Sequence, residues 1–200
     1  DLSFKPYENK KLKVHGRLNT KNLRIGAIFD TEYLGKLTLL GDIDGMIKDT
    51  LYDLNFSGKI DTVDIYNYKY QNINLKGNIK NKLFDGSFTI NDPNLRLNFS
   101  GNLDLSPSIP VFKFKSDISF ADLNKLNLSK DSISKLSCSI NSNFEGNNID
   151  NMQGTIDVEQ LWYKNPRNNL SLKKATINNT VSGSENIFTV ACDFFDAKVT

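Results

Sequence analysis

Residues 95–105 read LRLNFSGNLDL, and this stretch decides the fold. Leu95, Leu97 and Phe99 occupy every second position, Gly101 shares their phase, and the positions between them are polar. Strict alternation of this kind is typical of a β-strand with one apolar face and one solvated face. The stretch therefore predicts a strand, and it raises the question of what covers the apolar face.

A six-residue unit from this strand recurs along the chain: apolar, any, Gly, any, apolar, polar. It stands at VHGRLN (14–19), LLGDID (39–44), FSGKID (56–61), LKGNIK (75–80) and FSGNLD (99–104). Successive glycines are separated by about the length of two strands and a turn, which indicates a degenerate hairpin repeat. Short connections favour antiparallel pairing, and we expect about twelve to fourteen strands.

Glycine in the apolar phase of a strand needs an explanation, because it costs backbone entropy and offers no side chain for packing. One explanation is a bend or bulge that curls the sheet. The other is space for a neighbouring backbone, an aromatic ring or a ligand chain to approach closely.

The rhythm breaks at residues 121–128, where leucines are spaced by three and then by two. We expect a short helix or helical turn there, which either plugs one end of the apolar space or marks a break near 121–131. The predicted fold is all-β: a long, curled, mostly antiparallel sheet of hairpin repeats that forms a U-shaped groove, with at most one short helix. Residues 1–200 are predicted to be a single repetitive segment of a larger protein.

Composition excludes several function classes. Lys and Arg number 25 against 23 Asp and Glu, and the two signs are interspersed, so nothing indicates a nucleic-acid partner. No apolar run approaches the length of a membrane-spanning helix, so we expect any membrane anchor outside this segment. Cys138 and Cys192 share the phase of apolar neighbours, which predicts buried thiols, although the sequence leaves open whether they pair.

Catalytic patterns are missing from the sequence. The single histidine, His15, lies in the polar phase without Cys, Asp or Glu at metal-ligand spacing, and no GxSxG motif accompanies it. The acidic residues fall in the polar phase of strands and indicate a solvated face. We therefore predict no enzymatic activity, no catalytic residues, no metal and no cofactor.

Three tyrosines form a ladder in the sequence. Tyr66, Tyr68 and Tyr70 are predicted to lie on the face opposite Val63 and Ile65. An exposed ladder of this kind is either an aromatic stripe on the outer face or edge of the sheet or a surface that stacks on a sugar ring or a base.

The stretches NYKYQNINLKGNIKNKLFDGSFTINDPNLRLNFSGNLDLS (67–106) and PVFKFKSDISFADLNKLNL (110–128) resemble the TamB branch of the AsmA-like proteins, in the form found in Bacteroidota-type bacteria. The resemblance is greatest over residues 37–130. It implies a curled sheet with a hydrophobic interior in the periplasm, anchored by an inner-membrane helix outside this segment. It also implies transport of phospholipid between membranes, assembly of outer-membrane proteins, or both, with any outer-membrane barrel partner contacted by other regions.

We therefore expect a non-enzymatic lipid conduit whose groove holds phospholipid acyl chains. The predicted lining comprises Leu37, Leu39, Ile43, Leu54, Phe56, Ile60, Ile73, Leu75, Ile79, Phe88, Ile90, Leu95, Leu97, Phe99, Leu103, Phe112, Phe114 and Ile118. Two alternatives stay open: a structural or assembly module that acts through its sheet edges, and an extracellular β-repeat adhesin.

Overall fold

The computed structural model describes residues 2–7, 11–29, 32–147, 151–182, 185–194 and 196–199, which form thirteen strands and one short helix. The elements are β1 (Leu2–Tyr7), β2 (Lys11–Arg24), α1 (Ile25–Phe29), β3 (Leu34–Lys48), β4 (Leu51–Ile65), β5 (Tyr68–Lys80), β6 (Leu83–Asp92), β7 (Leu95–Asp104), β8 (Val111–Asp122), β9 (Lys135–Glu145), β10 (Gln153–Lys164), β11 (Asn169–Ser182), β12 (Glu185–Cys192) and β13 (Asp196–Val199).

All thirteen strands belong to one sheet, in which each strand lies beside its neighbours in the chain. Each pair is antiparallel, as the short turns require. Leu97, for example, is opposite Ile90 on β6 and Ile118 on β8. The predicted all-β class, the strand number and the antiparallel hairpin order are confirmed.

The predicted curl is wrong, because the sheet is open and uncurled. The glycines of the repeat explain the difference. A Cβ built on Gly58 would lie 2.5 Å from the Cα of Gly41 and 3.1 Å from Cζ of Phe56. The Phe56 ring and the facing backbone therefore occupy the space above these glycines.

A second glycine pair is filled in the same way. A Cβ on Gly86 would lie 2.7 Å from the Cα of Gly77 and 2.9 Å from Cζ of Phe84. Of the two explanations for apolar-phase glycine, close approach of rings and backbones is the one observed. Since the rings fill the gaps, the glycines do not need to bend the sheet.

The register shifts of the sheet concentrate toward the strand ends beside α1. They fall between Thr20 and Leu23, Leu34 and Leu37, Thr38 and Leu39, Arg96 and Leu97, Ile118 and Ala121, and Glu159 and Trp162. None of these shifts coincides with a glycine of the repeat. Asn22, Asn72 and Gln160, near the same line, have φ values of 56°, 55° and 51°. These register shifts, taken together, run across the sheet and separate its main part from a short terminal region at the strand ends on the side of α1.

The most buried cluster lies in this terminal region, which we call the capped end. It combines strand-end residues such as Val63, Tyr70 and Ala121 with Ile25 of α1 and Leu126 of the β8–β9 connection. Leu126 is only 1% exposed. The capped end therefore holds a small core, while the rest of the apolar face has no comparable cover in the described part of the chain.

The β8–β9 connection forms a helical turn, one of the two predicted forms, and not a regular helix. The Leu126 N–H donates to the Asp122 carbonyl over 3.0 Å, and the Lys125 N–H donates to Asp122 Oδ1 over 3.3 Å. The connection plugs one end of the apolar face, as one of the two predictions stated. It does not break the sheet, because β8 and β9 pair directly through Ile118 and Cys138. The helix found among the described residues, α1, lies where none was predicted.

The tyrosine ladder was also predicted on the wrong face. Tyr66 and Asn67 form a two-residue turn with φ values of 50° and 61°, and this turn places Tyr68 opposite Ile65. Tyr70 is likewise opposite Val63. Because directly paired residues share a face, Tyr68 and Tyr70 lie on the apolar face. The prediction failed because it continued the alternation of inward and outward positions from β4 across the turn into β5.

Candidate functional site

Cross-strand pairing places every residue of the predicted lining on one face of the sheet, in rows that run from strand to strand. The rows are Leu54–Ile79–Phe84–Leu103–Phe112, Ile43–Phe56–Gly77–Gly86–Gly101–Phe114, Gly58–Leu75–Phe88–Phe99 and Leu39–Ile60–Ile73–Ile90–Leu97–Ile118, with Leu37 beside Val63 and Leu95 beside Ala121. We call this surface the apolar face. Its role as a lipid lining stays a prediction.

The apolar face is only partly hidden from solvent. Leu39, Ile73, Leu95 and Phe99 are buried, Ile79 is 39% exposed, and the rest of the predicted lining is half-buried. Away from the capped end, the described strands contact chiefly their neighbours in the sheet. The partial burial therefore comes from adjacent side chains within one layer, and it leaves apolar surface available to a ligand.

Stacked phenylalanines stiffen the middle of the apolar face. The ring centroid of Phe99 lies 4.6 Å from that of Phe88 and 5.2 Å from that of Phe114. Phe112 and Phe144 stack at 4.8 Å. Ring pairs at these distances attract one another beyond the gain from burial alone. Phe99 therefore contributes to the stability of the apolar face through ring packing and adds little to its exposed surface.

The apolar face extends beyond the predicted lining, toward β12. Phe144, Ile156, Ile177 and Phe188 border an open concavity of about 560 Å³ together with Phe112. This volume falls within the range of small-molecule pockets, roughly 300–1,000 Å³. The same two-residue alternation marks these side chains in the sequence, so the signal that identified the lining on β3 to β8 also identifies this part.

A buried carboxylate interrupts the apolar face at the capped end. Asp92 is 1% exposed and accepts hydrogen bonds from Tyr68 Oη at 2.5 Å, the Asn94 N–H at 2.8 Å and the Gln71 N–H at 3.1 Å. Burial raises the pKa of Tyr68 above its usual value, and the hydrogen bond to Asp92 raises it further. These bonds hold the β6–β7 turn, and they leave the carboxylate enclosed by its own partners instead of facing a substrate.

The opposite face is polar and solvated. His15 Nδ1 lies 2.9 Å from Asp44 Oδ1, and both side chains are largely exposed. Lys80 Nζ lies 3.2 Å from Asp53 Oδ2, also at the surface. In the part of the chain that the structure describes, no three His, Cys, Asp or Glu residues gather in a geometry suited to a metal ion.

The two cysteines are not disulfide partners in this structure. Both are free, and they lie on β9 and β12, which are three strand spacings apart, or roughly 14 Å. Bridged cysteines have Cα atoms closer than about 7 Å. Burial, and then the charge of Asp117, raises the pKa of Cys138 above the usual thiol value, so this thiol behaves as a small apolar side chain.

Within the described ranges, no helix combines the length and the apolar character needed to cross a bilayer.

No protein-family model, curated protein or solved structure matches this chain.

Proposed function

We propose that this chain is a non-enzymatic segment of a periplasm-spanning protein, and that it carries phospholipid between the inner and outer membranes. In this proposal the acyl chains lie on the apolar face. The observation that supports it is the continuity of that face, because its four cross-strand rows between Ile43 on β3 and Phe114 on β8 contain no ionisable side chain, and Asp92 lies outside these rows at the capped end. The resemblance to the TamB branch supplies the cellular setting.

The physical basis of the proposal is the hydrophobic effect. Each methylene of an acyl chain moved from water onto apolar surface gains up to about 0.8 kcal/mol, depending on how much of it is covered. A continuous face allows a lipid to move along the sheet without passing through water at each step. Such movement needs no nucleophile or cofactor, and the phosphate headgroup stays in solvent.

The open shape changes the mode of binding from the one expected of a U-shaped groove. On an uncurled sheet, acyl chains contact one wall instead of being enclosed by two. The capped end limits the apolar face on one side, since Leu126 and Ile25 close over the strand ends there. We therefore propose an exposed track bounded on one margin.

A glutamate at Ile79 tests this proposal. Ile79 is 39% exposed on the apolar face, whereas Asn74, also on β5, lies on the polar face. We expect Ile79→Glu to lower the uptake of a fluorescent phospholipid from vesicles by about tenfold or more, because a charge on the face must lose its hydration when an acyl chain covers it. Asn74→Glu is the matched control and should leave uptake unchanged.

Equal uptake by wild type and Ile79→Glu, with both proteins folded, would contradict the lipid track. Loss of uptake in both variants would also contradict it, since binding would then depend on overall charge instead of on the apolar face.

A second candidate function is assembly of partner proteins through the sheet edges. Strands β1 and β13 each have one paired neighbour among the described residues, and an open edge can template a partner's strand. The adhesin alternative depended on an exposed tyrosine ladder. That support is removed, because Tyr70 is buried on the apolar face.

A further inference from the structure

A hollow crosses the apolar face from β8 to β12, along the margin that lies away from the capped end. It is the concavity of about 560 Å³ described above, and we call it the β8–β12 hollow. Each of these five strands contributes one apolar side chain to its lining, namely Phe112, Phe144, Ile156, Ile177 and Phe188. Apart from Phe112, this lining lies beyond the residues that the sequence pattern assigned to the groove.

The hollow forms because one row of paired residues is low in its middle. Gly154 is opposite Asn179, and both lie in the row that joins Phe144 to Phe188. Gly154 has no side chain. The Asn179 Nδ2 donates to the Met152 carbonyl, and Asn179 is only 2% exposed. No large side chain therefore stands above the face between the two phenylalanine rings.

Side chains border this low row on both sides. Ile156 and Ile177 are opposite one another in the next row toward the capped end. Met152 and Pro110 line the hollow on the side of the margin, where the Gly146 N–H donates to the Pro110 carbonyl over 2.9 Å. A ligand in the hollow is therefore contacted from two sides, whereas a ligand on the flat part of the apolar face contacts a single wall.

The hollow has about the length of one acyl chain. Adjacent strands lie about 4.8 Å apart, so the four strand spacings from β8 to β12 cover roughly 19 Å. The hydrocarbon core of a bilayer is about 30 Å thick, so the chains of one leaflet extend over about 15 Å. An apolar cavity of only about 150 Å³ already binds benzene. An acyl chain laid across the strands therefore fits the hollow in length and in volume.

The lining of the hollow favours hydrocarbon over a polar ligand. Among the described residues that line it, none has an ionisable side chain, and Asn147 is the polar one. Glu145, which is close in the chain, is exposed on the polar face opposite Gln153. A charged or polar ligand would lose hydration here without replacement hydrogen bonds. A peptide segment would meet the same penalty through its backbone N–H and C=O groups, whereas an acyl chain has no polar group to satisfy.

The hollow is also continuous with the rest of the apolar face. Phe112 is opposite Leu103 on one side and Phe144 on the other, and the centroids of its ring and the Phe144 ring lie 4.8 Å apart. A lipid that lies on the face can therefore reach the hollow without crossing a polar row.

We propose that the β8–β12 hollow is a binding site for a single acyl chain, in which a lipid rests on the apolar face with its headgroup in solvent. The inference rests on the proposed function for the class of ligand. It adds a defined position on the face and a capacity of one chain. It also predicts tighter binding in the hollow than on the flat part of the face, because the chain is contacted from two sides there.

Titration with cis-parinaric acid, a fluorescent fatty acid with one chain, tests this proposal. We expect wild type to show saturable binding of one probe per protein chain. Ile177→Phe should lower the affinity by about tenfold, the loss expected when the added ring keeps about two methylenes of the probe out of the hollow. Ile156→Phe fills the hollow from the adjacent strand and should have the same effect. The unfolding midpoint of each variant is measured alongside, so that only folded proteins are compared.

Ile43→Phe is the matched control, because Ile43 is a half-buried isoleucine of the same face on β3. It should bind the probe like wild type. Ile79→Glu should also bind it like wild type, since β5 lies three strand spacings from β8. The Ile79→Glu uptake experiment therefore tests the lipid track separately, and the track and the hollow can fail independently.

Three results would overturn the proposal. The first is the absence of saturable probe binding to wild type. The second is unchanged affinity in folded Ile177→Phe and Ile156→Phe. The third is an equal loss of affinity in Ile43→Phe or Ile79→Glu, because probe binding would then not be confined to the hollow.

Discussion

Phe99→Glu is expected to lower the free energy of unfolding by about 3–5 kcal/mol near pH 7, the range seen when an uncompensated charge is left in a protein interior. Phe99 is 9% exposed and lies between the rings of Phe88 and Phe114. A glutamate there removes both ring contacts and places a carboxylate where its surroundings offer little hydration. The change is measured by urea denaturation.

The pH dependence identifies the cause of this loss. In an apolar site the pKa of the new glutamate should rise above its unfolded value of about 4.3. A group with a raised pKa binds its proton more tightly in the folded state, so the penalty is smallest below about pH 4 and grows as pH rises through the folded pKa. Phe99→Gln is the control, since it removes the ring without a titrating group. The stability losses of Phe99→Glu and Phe99→Gln relative to wild type are compared at each pH. If the difference between these two losses stays constant as pH rises, the carboxylate is not in an apolar site.

Leu126→Ala is expected to lower the free energy of unfolding by about 2–5 kcal/mol, as truncation of a buried leucine usually does. Leu126 is 1% exposed and joins the β8–β9 connection to the core of the capped end. The loss should appear as a lower urea midpoint.

Leu128→Ala is the matched control for this variant. It stands two residues away, is 56% exposed, and should change stability by less than about 0.5 kcal/mol. A similar loss in both variants would show that the connection does not plug the capped end as described.

Alternation alone predicted much of this fold. LRLNFSGNLDL reads as a strand because its apolar residues recur every second position, and residues 95–104 form β7. Short turns then predicted antiparallel neighbours in chain order, which is the order observed. These features depend on local pattern and chain connectivity, and both can be read from the sequence.

The features that were missed depend on register. The Tyr66–Asn67 turn sets which face Tyr68 occupies, and a one-residue slip reverses every side chain of a strand. The filling of the glycine positions depends on rings such as Phe56 lying above glycines of the neighbouring strand. Neither contact has a signature within a single strand.

The same distinction, between features set by local pattern and features set by contacts between strands, applies to the candidate site. Membership of the apolar face followed from the alternation, but the difference between buried Phe99 and half-exposed Leu103 comes from packing between strands. The inward and outward positions of the leucines in the β8–β9 connection could not be predicted. Leu126 and Leu128 are equally apolar in sequence, and only the turn geometry sends one inward and the other outward.

Native mass spectrometry of the segment, purified from cells without detergent, tests the central claim most directly. If the apolar face shelters acyl chains, the spectrum should contain the chain with added masses of phospholipid, which dissociate as intact lipid on activation. A spectrum of the bare chain alone, or of a lipid-free dimer that hides the face against a second copy, would contradict the account.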